Sequence, residues 1–401
     1  MKRMAAAGEP GGRVMREDQS RTTRALFILL PIGILVGLGV LLRIFYYDMK
    51  LPYEGAAFAM ACVVGCVCGV LLARFNLYKA ASYAWWLYGA FLLLAVAMPW
   101  LGSAGRLGAL TSALNPSFTL AYLWMLFPVV YGLLLYRMRG TGFLGPLACC
   151  LLFAVPFLCG AWVFFRSMLC VCVGSLGCFA VLLAAVKRDY FGCNRYAALA
   201  LLLLGAAATA FLFCVVEPYR LMRILALLRP ETDALGQGWS ALRLREVLGG
   251  CRLIGQGGAL PRETEQWMRF AGNGSVQKDF FLPFLMYRYG LLIAALPIGC
   301  MSVFFVSAIQ RAGQLRGQLG KVLSCGILTV FAAQAAFSLL SAFGLPLWQS
   351  ALFPFLSYGN MAFLINLLLV GALLSLFRHG ASFSDAPFCR RRLRIRVETR
   401  E

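Results

Sequence analysis

"KDFFLPFLMYRYGLLIAALPIGCMSVFFV", residues 278–306, decides what kind of protein this is. A lysine–aspartate pair gives way at once to an apolar run longer than the roughly 20 residues that cross a bilayer as a helix. The run reads as one transmembrane helix over 280–306, with Asp279 at its lip and Arg288 as its one interior charge. On a continuous helix Arg288 lies about 13 Å beyond Asp279. Charges at such a depth are costly unless they act or find partners. The sequence names no partner for Arg288.

The same pattern recurs along the chain. Apolar runs occupy 25–45, 55–74, 80–100, 117–136, 143–164, 167–186 and 196–215 before it, and 321–343 and 353–377 after it. Composition agrees: 61% of the 401 residues are hydrophobic and 13% charged, against roughly 45–50% and 25% in soluble proteins. The expected fold is an all-α, polytopic membrane bundle of about ten helices. The net charge of +21 does not indicate nucleic acid. The arginines gather in tails and loops, where lipid headgroups and topology control account for them. More than twenty mainly polar residues precede the first run, which does not read as a cleavable signal peptide.

Basic residues sort by side. With a cytoplasmic N-terminus, 23 Lys and Arg fall in the tails and alternate connections, among them Arg74, Lys79, Arg137, Arg139, Lys187, Arg188, Arg311, Arg316 and Lys321. The short outer loops hold only Arg43, Lys50, Arg106 and Arg166. This bias predicts both termini inside the cell. The chain then divides into a basic tail (1–24), a membrane domain (25–378) and a second basic tail (379–401). One connection differs: residues 216–279, between the seventh and eighth spans, form a long polar outer loop that ends on Asp279. Long loops in compact domains tend to carry function.

Within that loop, Leu221, Met222, Leu225 and Leu228 face away from Arg220 and Arg223, as in a helix lying on a membrane surface. A second amphipathic piece carries Leu242, Val247 and Leu248. "GGCRLIGQGG" (249–258) follows. Its glycines either bring backbone N–H groups to a phosphate or make turns between interfacial helices. Most of the 15 cysteines lie in apolar runs and read as packing residues without a metal-ligand set. With one histidine, His379, in a basic tail, a Ser-His-Asp triad, an HExxH zinc site and a His-rich cage are out of reach.

Four stretches occur in a telling order: "RPETDALGQGW" (229–239), "GGCRLIGQGG" (249–258), "KDFFLPFLMYRYG" (278–290) and "FPFLSYGN" (353–360). Upstream, "GSAGRLGALTSALNPSF" (102–118) adds a fifth. Together with the ten-span layout they resemble the SEDS family, the RodA/FtsW/SpoVE group, over about 25–378. That resemblance implies a glycosyltransferase polymerising lipid II, the undecaprenyl-pyrophosphate-linked disaccharide pentapeptide of peptidoglycan. It also implies a class B penicillin-binding protein as partner and the bacterial cytoplasmic membrane as location. The family's essential aspartate falls on Asp279. Arg106, Arg220, Arg223, Asp233, Gly236, Gly238, Gly255, Gly257, Lys278 and Ser357 become candidate substrate-binding residues. No organic cofactor is expected; a divalent cation, Mg or Mn, is a candidate bridge between carboxylate and pyrophosphate.

Asp279 has two readings. It is a general base for a sugar hydroxyl, or it is a helix N-cap, where Asp is favoured. Lys278 beside it favours its ionised form. The departures from the family are specific. Its Glu-Glu pair is Tyr287-Arg288, its Q-P-S-E is Asn115-Pro116-Ser117-Phe118, and its Tyr-Gln after the loop glycines is Trp239-Ser240. Two further readings follow: a non-catalytic scaffold or activator of a penicillin-binding protein, and a transporter of lipid-linked precursor, although no inverted repeat shows.

Overall fold

The computed structural model describes residues 27–41, 52–103, 122–164, 168–192, 194, 196, 198–200, 203–205, 230–233, 238–270, 280–345, 352–357, 359–380 and 383. Among them the protein is all-helical, with no strand. The helices are α1 (Phe27–Leu41), α2 (Pro52–Arg74), α3 (Ala84–Ser103), α4 (Phe127–Arg137), α5 (Leu144–Phe164) and α6 (Met168–Lys187). Then come α7 (Trp239–Gly249), α8 (Arg262–Phe270), α9 (Phe281–Tyr289), α10 (Leu291–Gln314), α11 (Gln318–Ala342) and α12 (Asn360–His379). Five helical stretches among the described residues are long and apolar enough to cross a membrane: Leu77–Ala97, Leu169–Lys187, Leu291–Gln314, Gln318–Ala342 and Asn360–His379.

Where they are described, most of the expected spans overlap helices, with two corrections: the last, 353–377, opens with a turn over 353–357 before α12 starts at Asn360, and the eighth is broken. Residues 280–306 are not one helix: α9 stops at Tyr289, Gly290 adopts φ 97°, and α10 starts afresh. A helix cannot run through that left-handed backbone. The division between 143–164 and 167–186 is real, as α5 and α6. The expected span 196–215 lies largely outside the described residues.

Packing follows membrane rules, in which small residues let backbones approach. α2 and α12 run side by side in the same direction, Gly65 against Leu364 and Leu367, and Gly69 against Gly371. A Cβ on Gly371 would stand 2.4 Å from the Gly69 carbonyl oxygen. An aromatic layer joins α3 to α4, with Phe91 on Phe127 at 4.6 Å and Trp124 on Phe127 at 4.7 Å between ring centroids. Between α11 and α12, buried Gln334 and Asn366 exchange two amide hydrogen bonds of 3.0 and 3.2 Å. Each amide thereby satisfies the other where water cannot reach.

The bundle has two unlike ends. At one, Ser375 Oγ accepts from the Leu77 N–H and donates to the Phe75 carbonyl, and Tyr78 donates to the Leu376 carbonyl. There too Arg188 donates to Gln318, and the N–H groups of Gly140 and Gly142 donate to Tyr190 and Phe191. The basic residues of the alternate connections therefore converge at this end. At the other, α7 abuts the end of α11, where Gly344 approaches Arg245.

Candidate functional site

The site is built around the break in the α9–α10 pair. Ending one helix and starting the next leaves carbonyls and N–H groups without helical partners. The glycine-rich stretch supplies them. Leu291 and Leu292 donate to the carbonyls of Arg252 and Leu253, at 3.0 and 3.1 Å. In return Gly257 donates to the Tyr287 carbonyl at 2.8 Å and Gly255 to that of Tyr289 at 3.2 Å. The strap closes on itself through Gly258 N–H to the Gly250 carbonyl at 2.8 Å. Residues 250–258 thus splint the two helices with backbone hydrogen bonds in both directions.

Side chains lock the splint. Tyr287 donates its phenol to the Gly258 carbonyl at 2.7 Å, and its ring lies over Gly257, where a Cβ would meet it at 2.5 Å. Arg288 Nη1 donates to Gln256 Oε1 at 2.6 Å. The expectation of a charge deep inside one continuous span is corrected at Arg288. Arg288 sits in the last turn of a short helix, half-buried, against a side-chain amide from the strap. At Gly290 a Cβ would stand 2.7 Å from the Leu253 carbonyl oxygen, so glycine is required there by both space and φ.

The loop helices carry a second, polar knot. Arg243 on α7 donates to both Glu246 oxygens at 3.2 and 2.9 Å and to Thr264 on α8 at 3.0 Å, and also pairs with Glu263. Thr264 is fully buried and donates to Glu246. Aromatic rings continue from there to the start of α9. Trp239 meets Trp267 edge-on at 5.8 Å, and Trp267 meets Phe280 at 5.4 Å. The second amphipathic piece therefore packs on protein, burying Ala241, Leu244 and Val247, while Leu242 and Leu248 are half-buried. Cys251 donates its thiol to the Val247 carbonyl at 3.2 Å, and burial pushes its pKa up.

The sequence-chosen residues divide as follows. Asp279, Lys278, Arg106, Arg220, Arg223 and Gly236 lie outside the described residues. Asp233 ends the one-turn 3-10 helix Pro230–Asp233, against which Gly238 packs: a Cβ there would lie 2.3 Å from the Pro230 carbonyl oxygen. Gly255 and Gly257 are in the strap, where their N–H groups donate to helix carbonyls, in line with the turn reading of these glycines. Ser357 is buried and accepts from the Phe353 N–H at 2.9 Å, closing the turn that holds Phe355 at φ 63°. The sequence reading missed the Arg243 knot and the Trp239–Trp267–Phe280 chain. The i,i+3 spacing of Arg243 and Glu246 was visible; the partners on α8 were not.

These features define an α-helical membrane protein in which a glycine-rich loop braces a broken helix. The chain belongs to the FtsW/RodA/SpoVE family, described as a cell cycle protein family, whose pattern matches residues 147–381. Among its relatives, the probable peptidoglycan glycosyltransferase FtsW of Trichlorobacter lovleyi is 30% identical over 178 residues, 43% of this chain and 45% of that protein. Stage V sporulation protein E of Bacillus subtilis is 28% identical over 162 residues, 40% of this chain and 43% of that protein. The match spans somewhat under half the length of these curated relatives. The fold resembles that of the rod shape determining protein RodA of Thermus thermophilus, with TM-score 0.56 and 17% identity over 90% of this chain and 98% of that one. A chain of a peptidoglycan synthase complex gives TM-score 0.62 at 18% identity, over 88% and 96%.

Proposed function

We propose that this protein is a peptidoglycan glycosyltransferase that polymerises lipid II into glycan strands at the outer face of the bacterial cytoplasmic membrane. Family membership and the glycosyltransferase relatives support the activity class. One observation supports assigning the chemistry to Asp279. Phe280, the residue after Asp279, is buried against Trp267 and leads into a helix clamped at its far end by the strap. A catalytic group needs such rigid support.

In the reaction, a sugar 4-hydroxyl attacks the anomeric carbon of the lipid-linked donor. The new glycosidic bond forms as the bond to pyrophosphate breaks, and the hydroxyl proton passes to the Asp279 carboxylate. Lipid pyrophosphate leaves without needing a proton, so one carboxylate suffices where glycoside hydrolysis uses two. General-base assistance of this kind contributes roughly 10²–10⁴ in rate. Arg220, Arg223, Arg106 and Lys278 are the cations proposed to face the pyrophosphate. In this reading Gly255 and Gly257 hold the helix break, and Gly236, Gly238, Asp233 and Ser357 shape the surrounding loops.

A divalent cation in this proposal would rest on Asp279. Among the described residues no three His, Cys, Asp or Glu side chains converge, and Glu246 and Glu263 are engaged by Arg243. Asp279 would hold such an ion with the substrate's own phosphate oxygens, since Mg²⁺ is commonly held by one or two carboxylates and substrate phosphates. When bound, the ion would offset charge on the departing group.

The loop is proposed to face outward and both termini inward, with a class B penicillin-binding protein as partner. Tyr287 and Arg288, standing where the family carries two glutamates, favour one second reading: a non-catalytic activator of that partner. Purified protein, lipid II, Mg²⁺ or Mn²⁺ and candidate partners decide between them. Wild type is expected to make glycan strands, and Asp279→Asn to lose roughly 10²–10⁴ of the rate. Equal strands from both would remove Asp279 from the mechanism. None from wild type with any partner would leave the activator reading.

A further inference from the structure

A groove of about 500 Å³ opens between α10 and α11, at the bundle end opposite the strap. Its walls are apolar: Phe305 and Ile309 from α10, Leu328 and Ala332 from α11. At its mouth stand two cations, Arg188 from the end of α6 and Lys321 from the first turn of α11. Gln318 and Lys321 are three residues apart on one helix face, and Gln318 is what Arg188 touches, through a long 3.4 Å hydrogen bond. The two positive charges are thus neighbours. Among the described residues, neither meets a carboxylate.

Two half-buried cations beside an apolar groove favour an anion that carries a hydrocarbon chain. From Lys321 to Ala332 the groove follows about 16 Å of helix. One leaflet of a bilayer's hydrocarbon core is about 15 Å deep. Ile309 is 57% exposed, so the groove opens to the surrounding membrane and not to the bundle interior. We propose that this groove binds an anionic phospholipid, its phosphate between Arg188 and Lys321 and an acyl chain along Phe305, Ile309, Leu328 and Ala332. This lipid is not the glycosyl substrate, since it sits at the end away from the loop that ends on Asp279. The proposal stands whether or not the transferase reading holds.

Native mass spectrometry of the purified full chain tests it, with phosphatidylglycerol and phosphatidylcholine titrated in parallel. Wild type is expected to retain phosphatidylglycerol preferentially. The Arg188→Gln/Lys321→Gln pair is expected to lose about 30-fold of that preference, at about 1 kcal/mol per cation. The charge-keeping pair Arg188→Lys/Lys321→Arg retains it, which separates charge from folding. Ala332→Trp, filling the groove, is expected to displace both lipids. A photo-crosslinking residue in place of Ile309 should capture lipid in native membranes. Unchanged preference in the Gln pair, equal retention of both lipids by wild type, or a polypeptide captured in place of lipid would each overturn the proposal.

Discussion

Gly290 shows how one residue changes the reading of a whole span. Apart from Arg288 the run around it stays largely apolar, so hydropathy carries through it without marking a break. Its φ of 97° and the Leu253 carbonyl 2.7 Å from where a Cβ would stand make it the hinge of the α9–α10 pair. Gly290→Ala is expected to cost about 1–3 kcal/mol, read as a lower thermal midpoint in detergent. Cys251 makes a different kind of statement. Its thiol is held protonated by burial, so the folded state keeps a proton that the unfolded chain releases above about pH 8.5. Stability from this group is therefore full below that pH and falls as pH rises past it. The thermal midpoints of wild type and Cys251→Ser should diverge with pH only on that alkaline side.

The strap is an element with no periodic signature. Its glycines were legible, and so was the chance that they bring backbone N–H groups to an acceptor. The acceptor was not, because the carbonyls of Tyr287 and Tyr289 lie some thirty residues away in sequence. Tyr287-Arg288 read as a charge reversal inside a membrane helix; in place, both side chains fasten the strap. Tyr287→Phe combined with Gln256→Ala removes two of these hydrogen bonds, each worth about 1 kcal/mol. Amide exchange at Gly255 and Gly257 is expected to quicken roughly tenfold or more, and trypsin to cut sooner after Arg252. Unchanged exchange would mean that the backbone bonds alone hold the strap. α7 makes the converse point. Its apolar face was legible, yet whether lipid or protein covers that face depends on α9 and α11 standing beside it.

Across the whole molecule, the two ends are chemically distinct. Basic connections meet at one end, and the braced loop helices occupy the other. Among the described residues, the helices between them are joined by small-residue crossings and by the buried Gln334–Asn366 amide pair. Gln334→Leu or Asn366→Leu alone leaves an amide unpaired in an apolar interior, whereas the double substitution removes both. A coupling of about 0.6–1.7 kcal/mol is expected from the double-mutant cycle, measured by reversible unfolding in bicelles. Additive losses would show that each amide finds another partner.

Hydropathy was enough to mark a helical membrane protein and the apolar stretches that form its long helices, because dehydrating a backbone is a local cost that each segment meets alone. The motif order pointed to the family for the same reason, each motif being short and contiguous. The broken helix, its splint, the partner of Arg288 and the Arg243 knot came from the folded chain. Their hydrogen bonds join segments distant in sequence, and such bonds exist only once packing has brought a carbonyl and its donor within 3 Å.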